Sequence, residues 1–387
     1  MKYRKFGKLS WEVSALGFGA MRLPTEEKDY GAIREAEAGE LIRYAIDHGV
    51  NYLDTAWIYH RENSEGFLGK VLSDGYRERV RIATKMPTWM IEKPEDLDRF
   101  FDAQMERLQV DQIDFYLLHA LQTDWWDNMK RFHYLDWAEK KMADGAIGHL
   151  GFSFHDKFSL FKRIIDDYDN WTLAMVQYNY MDVRREAGLQ GVQYAADKGL
   201  AVVVMEPLRG GQLAKEPPED IKQILETAAP GRSAAEWGLR WLWDQEKISV
   251  VLSGMSTLEQ LKQNIKTVES SEIGGLTAEE HTAVNDVRKA YESKASILCT
   301  DCRYCMPCPQ GVGIPFVFNY FNMVRIYNDL QTAKAYYAFM GEDSNAANCT
   351  MCGECMEHCP QHLDIINLLK ECHTLLHTEK AEEEEKR

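Results

Sequence analysis

Eight short apolar runs alternate with longer amphipathic stretches between Leu16 and Gly254, and this alternation constrains the fold more than any other feature. Each run is followed by a polar loop and most by a credible helix, which is typical of consecutive strand–helix units in a parallel sheet. Eight such units in one domain, with no G-x-G-x-x-G after the first strand, favour an α/β fold of the closed (β/α)8 TIM-barrel type over an open doubly wound sheet. The runs begin near Ala15, Tyr52, Val80, Ile113, Ile147, Met175, Ala201 and Val250.

Two runs of cysteines follow the predicted barrel. The first has Cys299, Cys302, Cys305 and Cys308, each separated by two residues; the second has Cys349, Cys352, Cys355 and, after three residues, Cys359. Three cysteines at this spacing present three thiolates to one 4Fe-4S cluster, and the fourth, before a proline, usually ligates the other cluster. We therefore predict two clusters, one on Cys299, Cys302, Cys305 and Cys359, and the other on Cys349, Cys352, Cys355 and Cys308.

Alternatives to this ligand set remain open. The first run is one residue short before Cys308, which leaves the fourth ligand of the second cluster open. Zinc is the main alternative metal, although structural zinc sites normally join two separated Cys pairs, a form that neither run has. Disulfides are rare in a reducing cytoplasm. Cys372 lies outside both runs and is predicted to be a buried, inert thiol.

The cysteine distribution also predicts the domain organisation. All nine cysteines lie beyond residue 298, and between the two runs Phe316, Tyr320, Met323 and Tyr327 recur at helical spacing. We predict the barrel over residues 1–290 and a small, mostly α-helical ferredoxin-like iron-sulfur domain over 291–375. Residues 376–387 are rich in Glu and are predicted to be an acidic, disordered tail.

The charge balance excludes some partners. With 61 acidic and 45 basic residues the formal net charge is -16, which repels nucleic-acid phosphates and anionic lipid headgroups. The segment Met1–Ser14 lacks the apolar core of a secretory signal, and no apolar run is long enough to span a bilayer. We therefore expect a cytoplasmic protein with neither a nucleic-acid nor a membrane partner.

Four polar side chains close predicted strands or follow them directly: Asp54, Tyr59, Lys85 and His119. Reduction of a carbonyl by hydride leaves an alkoxide that must receive a proton from a positioned acid. Tyr59 is the candidate acid, because an adjacent ammonium such as Lys85 lowers the pKa of a phenol. Asp54 would supply the counter-charge for Lys85, and His119 would orient and polarise the substrate oxygen.

In this order and local context, the four residues resemble the catalytic tetrad of the aldo-keto reductase superfamily. Phe6–Ser10 with Leu16–Met21 resembles the family's N-terminal hairpin and first strand, and Leu239–Leu242 resembles its last long helix. The resemblance covers about residues 1 to 290. It implies an oxidoreductase that uses NADPH or NADH to reduce an aldehyde or ketone to an alcohol, or that catalyses the reverse reaction.

The same resemblance implies which residues contact the nucleotide. Ser153 and Gln177 would bind the nicotinamide carboxamide, and Met205 stands where the family normally stacks a Tyr on the nicotinamide. Gln260 occupies the place where an Arg often binds the 2′-phosphate, so both NADPH and NADH remain candidates. The full set of implied cofactor contacts is Met21, Ser153, Gln177, Met205, Pro207, Leu208, Gly210, Ser253, Gly254, Ser256, Gln260 and Asn264.

Three other functions remain open, because hydride moves two electrons whereas each cluster passes one. The chain could be an electron-transfer protein whose barrel docks a one-electron redox partner. It could also be a reductase whose clusters only stabilise the C-terminal domain. The third alternative is a nucleotide sensor without catalysis. Trp57, Trp89, Trp125 and Trp126 fall in predicted loops and could line an apolar substrate pocket, or serve packing alone.

Overall fold

The computed structural model of the chain describes residues 1–26, 29–299, 305–359 and 361–377. Its strands are β1 (Tyr3–Lys5), β2 (Glu12–Ser14), β3 (Leu16–Gly19), β4 (Thr25–Glu26), β5 (Asp29–Ile33), β6 (Tyr52–Asp54), β7 (Arg81–Met86), β8 (Ile113–Leu121), β9 (Ile147–Phe154), β10 (Leu173–Gln177), β11 (Ala201–Met205) and β12 (Val250–Ser253). Its helices are α1 (Glu35–Asp47), α2 (Ser64–Val71), α3 (Glu95–Leu108), α4 (Thr123–Arg131), α5 (Tyr134–Ala143), α6 (Phe158–Asp166), α7 (Gly188–Asp197), α8 (Glu219–Ala228), α9 (Ala234–Trp243), α10 (Leu258–Glu269), α11 (Ala278–Ser293), α12 (Ile314–Tyr327), α13 (Leu330–Phe339), α14 (Glu354–Glu357) and α15 (Ile365–Leu376).

The elements form two compact units. The barrel unit comprises Met1–Lys215 and Arg232–Ala278, and the C-terminal unit comprises Glu216–Gly231 and the chain from Glu279 onward. By packing, α8 and nearly all of α11 therefore group with the C-terminal unit. The domain boundary predicted at residue 290 stays a prediction, and most of the predicted tail, from residue 378 on, lies outside the described residues.

Eight parallel strands close into a barrel in the order β10-β11-β12-β3-β6-β7-β8-β9. The predicted TIM barrel is thus confirmed, and each predicted strand begins within two residues of an observed one. Strands of this kind are buried on both faces, which explains why they appear in the sequence as nearly continuous apolar runs. One face packs against the surrounding helices, as Leu53 and Ile82 do, and the other fills the barrel, as Phe115 and Leu117 do.

A hairpin of β1 and β2 packs against the start of the barrel strands. Its connecting residue Phe6 is fully buried, and its ring centroid lies 4.8 Å from that of Phe115 and 5.9 Å from that of Tyr52. Tyr52 opens β6 and Phe115 lies near the start of β8, so the hairpin covers the amino-terminal end of the barrel. The carboxyl ends of the strands are left for the functional loops.

The C-terminal unit has an apolar core of its own. Val317, Phe318 and Phe321 of α12 pack with Ile365 and Leu369 of α15. The helix predicted between the cysteine runs is therefore present. The residues whose spacing predicted it do not form its buried face: Tyr320, Met323 and Tyr327 are only partly buried, and Phe316 is 42% exposed. None of the helices formed by the described residues is long and apolar enough to cross a bilayer.

Gly7 tests the packing of the β1–β2 hairpin. Its φ is +56°, and a Cβ at this position would lie 2.5 Å from the backbone nitrogen of Ala201. We expect Gly7→Ala to lower the free energy of unfolding by about 1–2 kcal/mol for the left-handed backbone and by at least about 1 kcal/mol more for the clash. Urea denaturation followed by tryptophan fluorescence measures the loss.

Gly75→Ala is the matched control for this substitution. Gly75 also has a positive φ, +84°, but apart from its two chain neighbours no heavy atom of the described residues lies within 4 Å of the Cβ that would be added. This variant should lose only the backbone contribution. Equal losses in the two variants would contradict the close approach of the hairpin to β11.

Candidate active site and cysteine cavity

Three neighbouring barrel strands carry polar side chains at or near their carboxyl ends. β6 ends at Asp54, Lys85 is the penultimate residue of β7, and His119 lies two residues before the end of β8. Tyr59 follows β6 in the turn before α2. Because the three strands are parallel neighbours, their carboxyl ends meet at one mouth of the barrel.

The amine of Lys85 is the centre of this group. Its Nζ donates to Asp54 Oδ1 at 2.6 Å, to the carbonyl oxygen of Thr55 at 2.7 Å and to Tyr59 Oη at 3.3 Å. Lys85 is 1% exposed and Asp54 is 3% exposed. The ammonium thus has three acceptors in a site that excludes water, and one of them is the phenol that the sequence nominated as the acid.

Burial and charge act in opposite directions on this pair. Burial by itself lowers the pKa of Lys85, but Asp54 and Tyr59 outweigh burial and raise that pKa above its usual value. Burial raises the pKa of Asp54, and the ammonium of Lys85 opposes this shift. With only 2.6 Å between them the two groups form an ion pair, and Lys85 stays protonated at neutral pH.

The predicted direction of the pKa shift at Tyr59 is wrong. Lys85 does lower the pKa of the phenol, but burial is the larger influence and raises that pKa above its usual value. The phenol therefore carries its proton at neutral pH. The ammonium 3.3 Å away is placed to stabilise the phenolate once the proton has left.

His119 lies across the mouth from Tyr59. The two rings meet edge to face with their centroids 6.1 Å apart. Burial, and then the charges of Lys85 and His155, hold the pKa of His119 well below its usual value. Nδ1 of His119 is buried and has no hydrogen-bond partner among the described residues. His119 is therefore a neutral imidazole, which can donate from one ring nitrogen and accept at the other.

The four candidate tryptophans divide into two pairs. Trp89 packs on His119 at a centroid distance of 5.0 Å, and Trp125 packs on Trp89 at 5.6 Å. Trp57 and Trp126 are buried, and the Trp57 ring lies beneath the guanidinium of Arg107 at 3.6 Å. Trp89 and Trp125 therefore form an aromatic wall beside His119, whereas the other two serve packing.

The residues implied for the nicotinamide carboxamide lie on adjacent strands. Ser153 lies in β9, and its Oγ accepts a hydrogen bond from the backbone N–H of Ala120 at 2.7 Å. Gln177 ends β10, and its amide nitrogen donates to Asp182 Oδ2 at 3.1 Å. The Ser153 hydroxyl keeps its own hydrogen for a further acceptor, and Gln177 keeps its carbonyl oxygen for a donor.

The loop implied to cover the pyrophosphate follows β11. Met205 ends that strand, Pro207 is buried and Leu208 is partly buried. Gly210 and the next residue adopt φ angles of +64° and +93°, a conformation that favours glycine. The loop thus turns sharply at the barrel mouth.

The implied adenine-side segment follows β12. Asn264 Nδ2 donates to Ser253 Oγ at 3.1 Å, and the backbone N–H of Ser256 donates to Gln260 Oε1 at 2.9 Å. Gln260 lies in the first turn of α10, whose N-cap is Thr257. At the position where the family often carries an Arg, the side-chain oxygen of Gln260 therefore accepts a backbone N–H just before α10.

Sequence reasoning missed Arg22, which follows the implied contact Met21. Its backbone carbonyl accepts from Ser256 Oγ at 2.8 Å, its side chain lies against Gly254, and its guanidinium is 3.8 Å from Glu206. Arg22 therefore lies against both of the segments that the family resemblance implies for the nucleotide. Ser256 is 234 residues away in sequence, so only the closure of the barrel brings them together.

Cysteines of both runs line one cavity of about 270 Å³ in the C-terminal unit. Around the cavity lie Cys305, Met306, Pro307, Cys308, Pro309, Gln310, Ile314, Cys349, Thr350, Cys352, Gly353, Glu354, Cys355, His358, Ile366 and Leu369. Cys308 thus lines the same space as the second run, despite its shorter spacing. Among the described residues, no three His, Cys, Asp or Glu side chains converge to hold a single ion. Thiols spread around a cavity suit a four-iron cluster, which takes one thiolate at each iron.

The other cysteines differ in their surroundings. Cys299 and Cys359 are partly buried, and Cys302 lies outside the described residues. Cys372 is fully buried, and burial raises the pKa of its thiol to about 12. Burial therefore keeps this thiol protonated at neutral pH, in keeping with the inert role predicted for it.

Comparison with known proteins identifies the family. Residues 15–289 match the model of the aldo/keto reductase family. The chain belongs to the aldo/keto reductase family. Residues 298–363 match the model of a 4Fe-4S dicluster domain, so the C-terminal segment is of the iron-sulfur type that its cysteines predicted.

Relatives of this chain support its assignment to the oxidoreductases. An uncharacterized oxidoreductase, YqkF of Bacillus subtilis, is 27% identical over 76% of this chain and all of its own length. The L-galactose dehydrogenase of Arabidopsis thaliana is 26% identical, covering 72% of this chain and 92% of that protein. The holo structure of aldo-keto reductase AKR11C1 from Bacillus halodurans is 28% identical with a TM-score of 0.62, over 74% of this chain and 96% of that one.

The neutral state of His119 is directly testable. Because its pKa is held well below the usual value, its ring should show no titration between pH 6 and pH 8, where an ordinary His titrates near pH 6.5. Folding then favours the unprotonated ring, so this group opposes folding only as the pH falls below about 6.5. Nitrogen–proton correlation NMR, with the signal assigned by its loss in His119→Gln, measures the state. An imidazolium pattern at pH 7 would contradict the structure.

Proposed function

We propose that the protein reduces an aldehyde or ketone to an alcohol, or catalyses the reverse reaction, with NADPH or NADH. The observation that carries the proposal is the Lys85 amine, hydrogen-bonded at once to the Asp54 carboxylate and the Tyr59 phenol at the mouth of the barrel. A bound nicotinamide would supply or accept the hydride. The chain's own residues would bind the nucleotide, orient the substrate and transfer the proton.

Tyr59 is the proposed proton donor. Its phenol carries the proton at neutral pH, as an acid must, and the ammonium of Lys85 stabilises the phenolate left behind. Asp54 keeps Lys85 charged and fixes its position. The three side chains therefore act as one unit, in which the carboxylate anchors the ammonium and the ammonium prepares the phenol.

His119 is proposed to orient the substrate oxygen. As a neutral imidazole it can donate a hydrogen bond to a carbonyl oxygen without adding charge to the site. Trp89 and Trp125 beside it offer an apolar, aromatic wall, which favours a carbonyl compound with an apolar body.

The nucleotide is proposed to lie across the ends of β9 to β12. Ser153 and Gln177 have a hydrogen and a carbonyl oxygen left for a carboxamide, and Arg22 provides a positive charge for phosphate. The side-chain oxygen of Gln260 accepts from the backbone N–H of Ser256. This position therefore supplies a neutral amide, and not a cation that would select a 2′-phosphate. Both nucleotides therefore remain candidates.

The cysteines are proposed to hold two 4Fe-4S clusters that exchange electrons with a one-electron redox partner. Cys352 is exposed while Cys308, Cys349 and Cys355 are partly buried, so one edge of that cavity faces solvent. A structural role is a second candidate. It is favoured by the packing of most of these cysteines against the apolar core of the C-terminal unit.

Replacing the proposed acid tests the reductase. Tyr59→Phe removes the hydroxyl 3.3 Å from Lys85, and kcat for carbonyl reduction should fall by about 10²–10⁴-fold with either nicotinamide. Anaerobic assays with a panel of carbonyl compounds measure the effect. Tyr76→Phe, which removes a surface hydroxyl bonded to Asp47, should leave the rate unchanged. Wild-type carbonyl reduction by Tyr59→Phe would refute the assignment.

Iron analysis tests the cysteine assignment. The wild-type protein, reconstituted anaerobically, should hold about eight iron atoms and eight sulfides per chain. Cys308→Ala should lose roughly half of both, because Cys308 would complete the ligands of one cluster. Cys372→Ala is the control and should keep the full iron content. If Cys308→Ala also kept it, Cys308 would not be a ligand.

A further inference from the structure

The turn that carries Tyr59 has a strained backbone. His60, Arg61 and Glu62 have φ angles of +51°, +51° and +72°. Three consecutive residues other than glycine in the left-handed region cost conformational free energy, and such a turn persists only where side-chain contacts outweigh that cost. The contacts that hold this turn therefore decide where the phenol of Tyr59 lies.

His60 makes the most deeply buried of these contacts. The side chain is 0% exposed, its Nδ1 lies 2.8 Å from the carbonyl oxygen of Tyr30, and its Nε2 accepts from the backbone N–H of Leu23 at 3.2 Å. A carbonyl oxygen can only accept and a backbone N–H can only donate, so Nδ1 carries the hydrogen and the ring is neutral. The ring also stacks on Tyr30 at a centroid distance of 4.5 Å.

The neighbouring side chains hold the turn at the surface. Arg61 pairs with Asp29 at 3.3 Å, and Glu62 accepts from Arg107 at 2.7 Å. Arg61 and Asp29 are 70% and 52% exposed, and Glu62 is 46% exposed. Exposed ion pairs contribute little in water, whereas a buried group left without its partner is costly. The buried imidazole is therefore the principal anchor of the turn.

His60 ties the turn to a separate part of the barrel unit. Leu23 lies two residues before β4, and Tyr30 lies in β5. The hydroxyl of Tyr30 donates in turn to the carbonyl oxygen of Met21 at 3.1 Å, beside the segment implied for the nucleotide. The hairpin and the segment before it thus brace the residue next to Tyr59.

We propose that His60 is a positioning residue, which acts through Tyr59 by holding its hydroxyl against the amine of Lys85. The kinetic part of this proposal rests on the proposed carbonyl reduction; the positional part does not. Among the described residues, the side-chain hydrogen bonds and ring contact of His60 go to Leu23 and Tyr30, not to Lys85. The two hydrogen bonds of His60 fix the backbone at the residue after Tyr59. Because the two residues are adjacent, this restricts where the ring of Tyr59 can lie.

A graded series of substitutions tests this positioning. His60→Asn keeps a donor at the place of Nδ1 and loses the acceptor for Leu23; His60→Gln keeps that acceptor and loses the donor; His60→Ala loses both. We expect kcat for carbonyl reduction to fall about 3–10-fold in His60→Asn and also in His60→Gln. In His60→Ala, kcat should fall by about the product of the two reductions. KM for the nicotinamide should change less than about twofold. His133→Ala is the matched control, because His133 also has a left-handed φ, +53°, but is exposed.

Fluorine NMR gives a readout that does not depend on activity. With 3-fluorotyrosine incorporated throughout, the Tyr59 signal is assigned by its loss in Tyr59→Phe. In the His60 series the Tyr59 signal should move or broaden more in His60→Ala than in His60→Asn or His60→Gln. The Tyr30 signal will also move because its ring stacks on His60, and the remaining tyrosine signals should stay in place. His133→Ala should leave it unchanged.

The outcomes separate the two proposals. If the wild-type protein reduces no carbonyl compound, the proposed function fails, and the Tyr59 signal alone decides the role of His60. If His60→Ala does not fold, Asn and Gln carry the test, because each keeps one hydrogen bond. An unmoved Tyr59 signal and an unchanged kcat in the folded Asn and Gln variants would overturn the proposal.

Discussion

The buried ion pair between Asp54 and Lys85 is the interaction on which the barrel mouth depends. A lysine that is 1% exposed is costly to desolvate, and only a counter-charge at 2.6 Å with further acceptors makes it tolerable. Neighbouring parallel strands can supply that geometry, because their carboxyl ends lie side by side. The barrel therefore fixes a charge where a surface loop would let water screen it.

The protein combines two kinds of site with different physical requirements. The barrel site is a set of ionised and hydrogen-bonding side chains on rigid strands, held by a large core. The cysteine cavity lies in a small unit whose core is formed by a few helices, with thiols packed against it. In such a unit, metal binding contributes directly to the free energy of folding, so a redox role and a structural role can coexist.

Much of the candidate site was predictable because strand ends are visible in the sequence. Asp54, Lys85 and His119 each close an apolar run, and the spacing of the cysteines predicts the iron-sulfur ligands. The pKa of Tyr59 was not predictable in direction, because burial of the phenol outweighs the charge of Lys85. Arg22 and His60 were missed for a related reason, since their partners lie on distant segments of the chain and no local motif marks them.

The sequence by itself determined the eight strand–helix units, the family resemblance and the types of residue available for chemistry, because these depend on local periodicity and spacing. Only the tertiary structure decided which face of α12 is buried, that Cys308 shares a cavity with the second cysteine run, and that a neutral His60 braces the turn beside Tyr59. These features depend on distances between segments far apart in the chain. Chain closure and burial set those distances, and no local pattern records them.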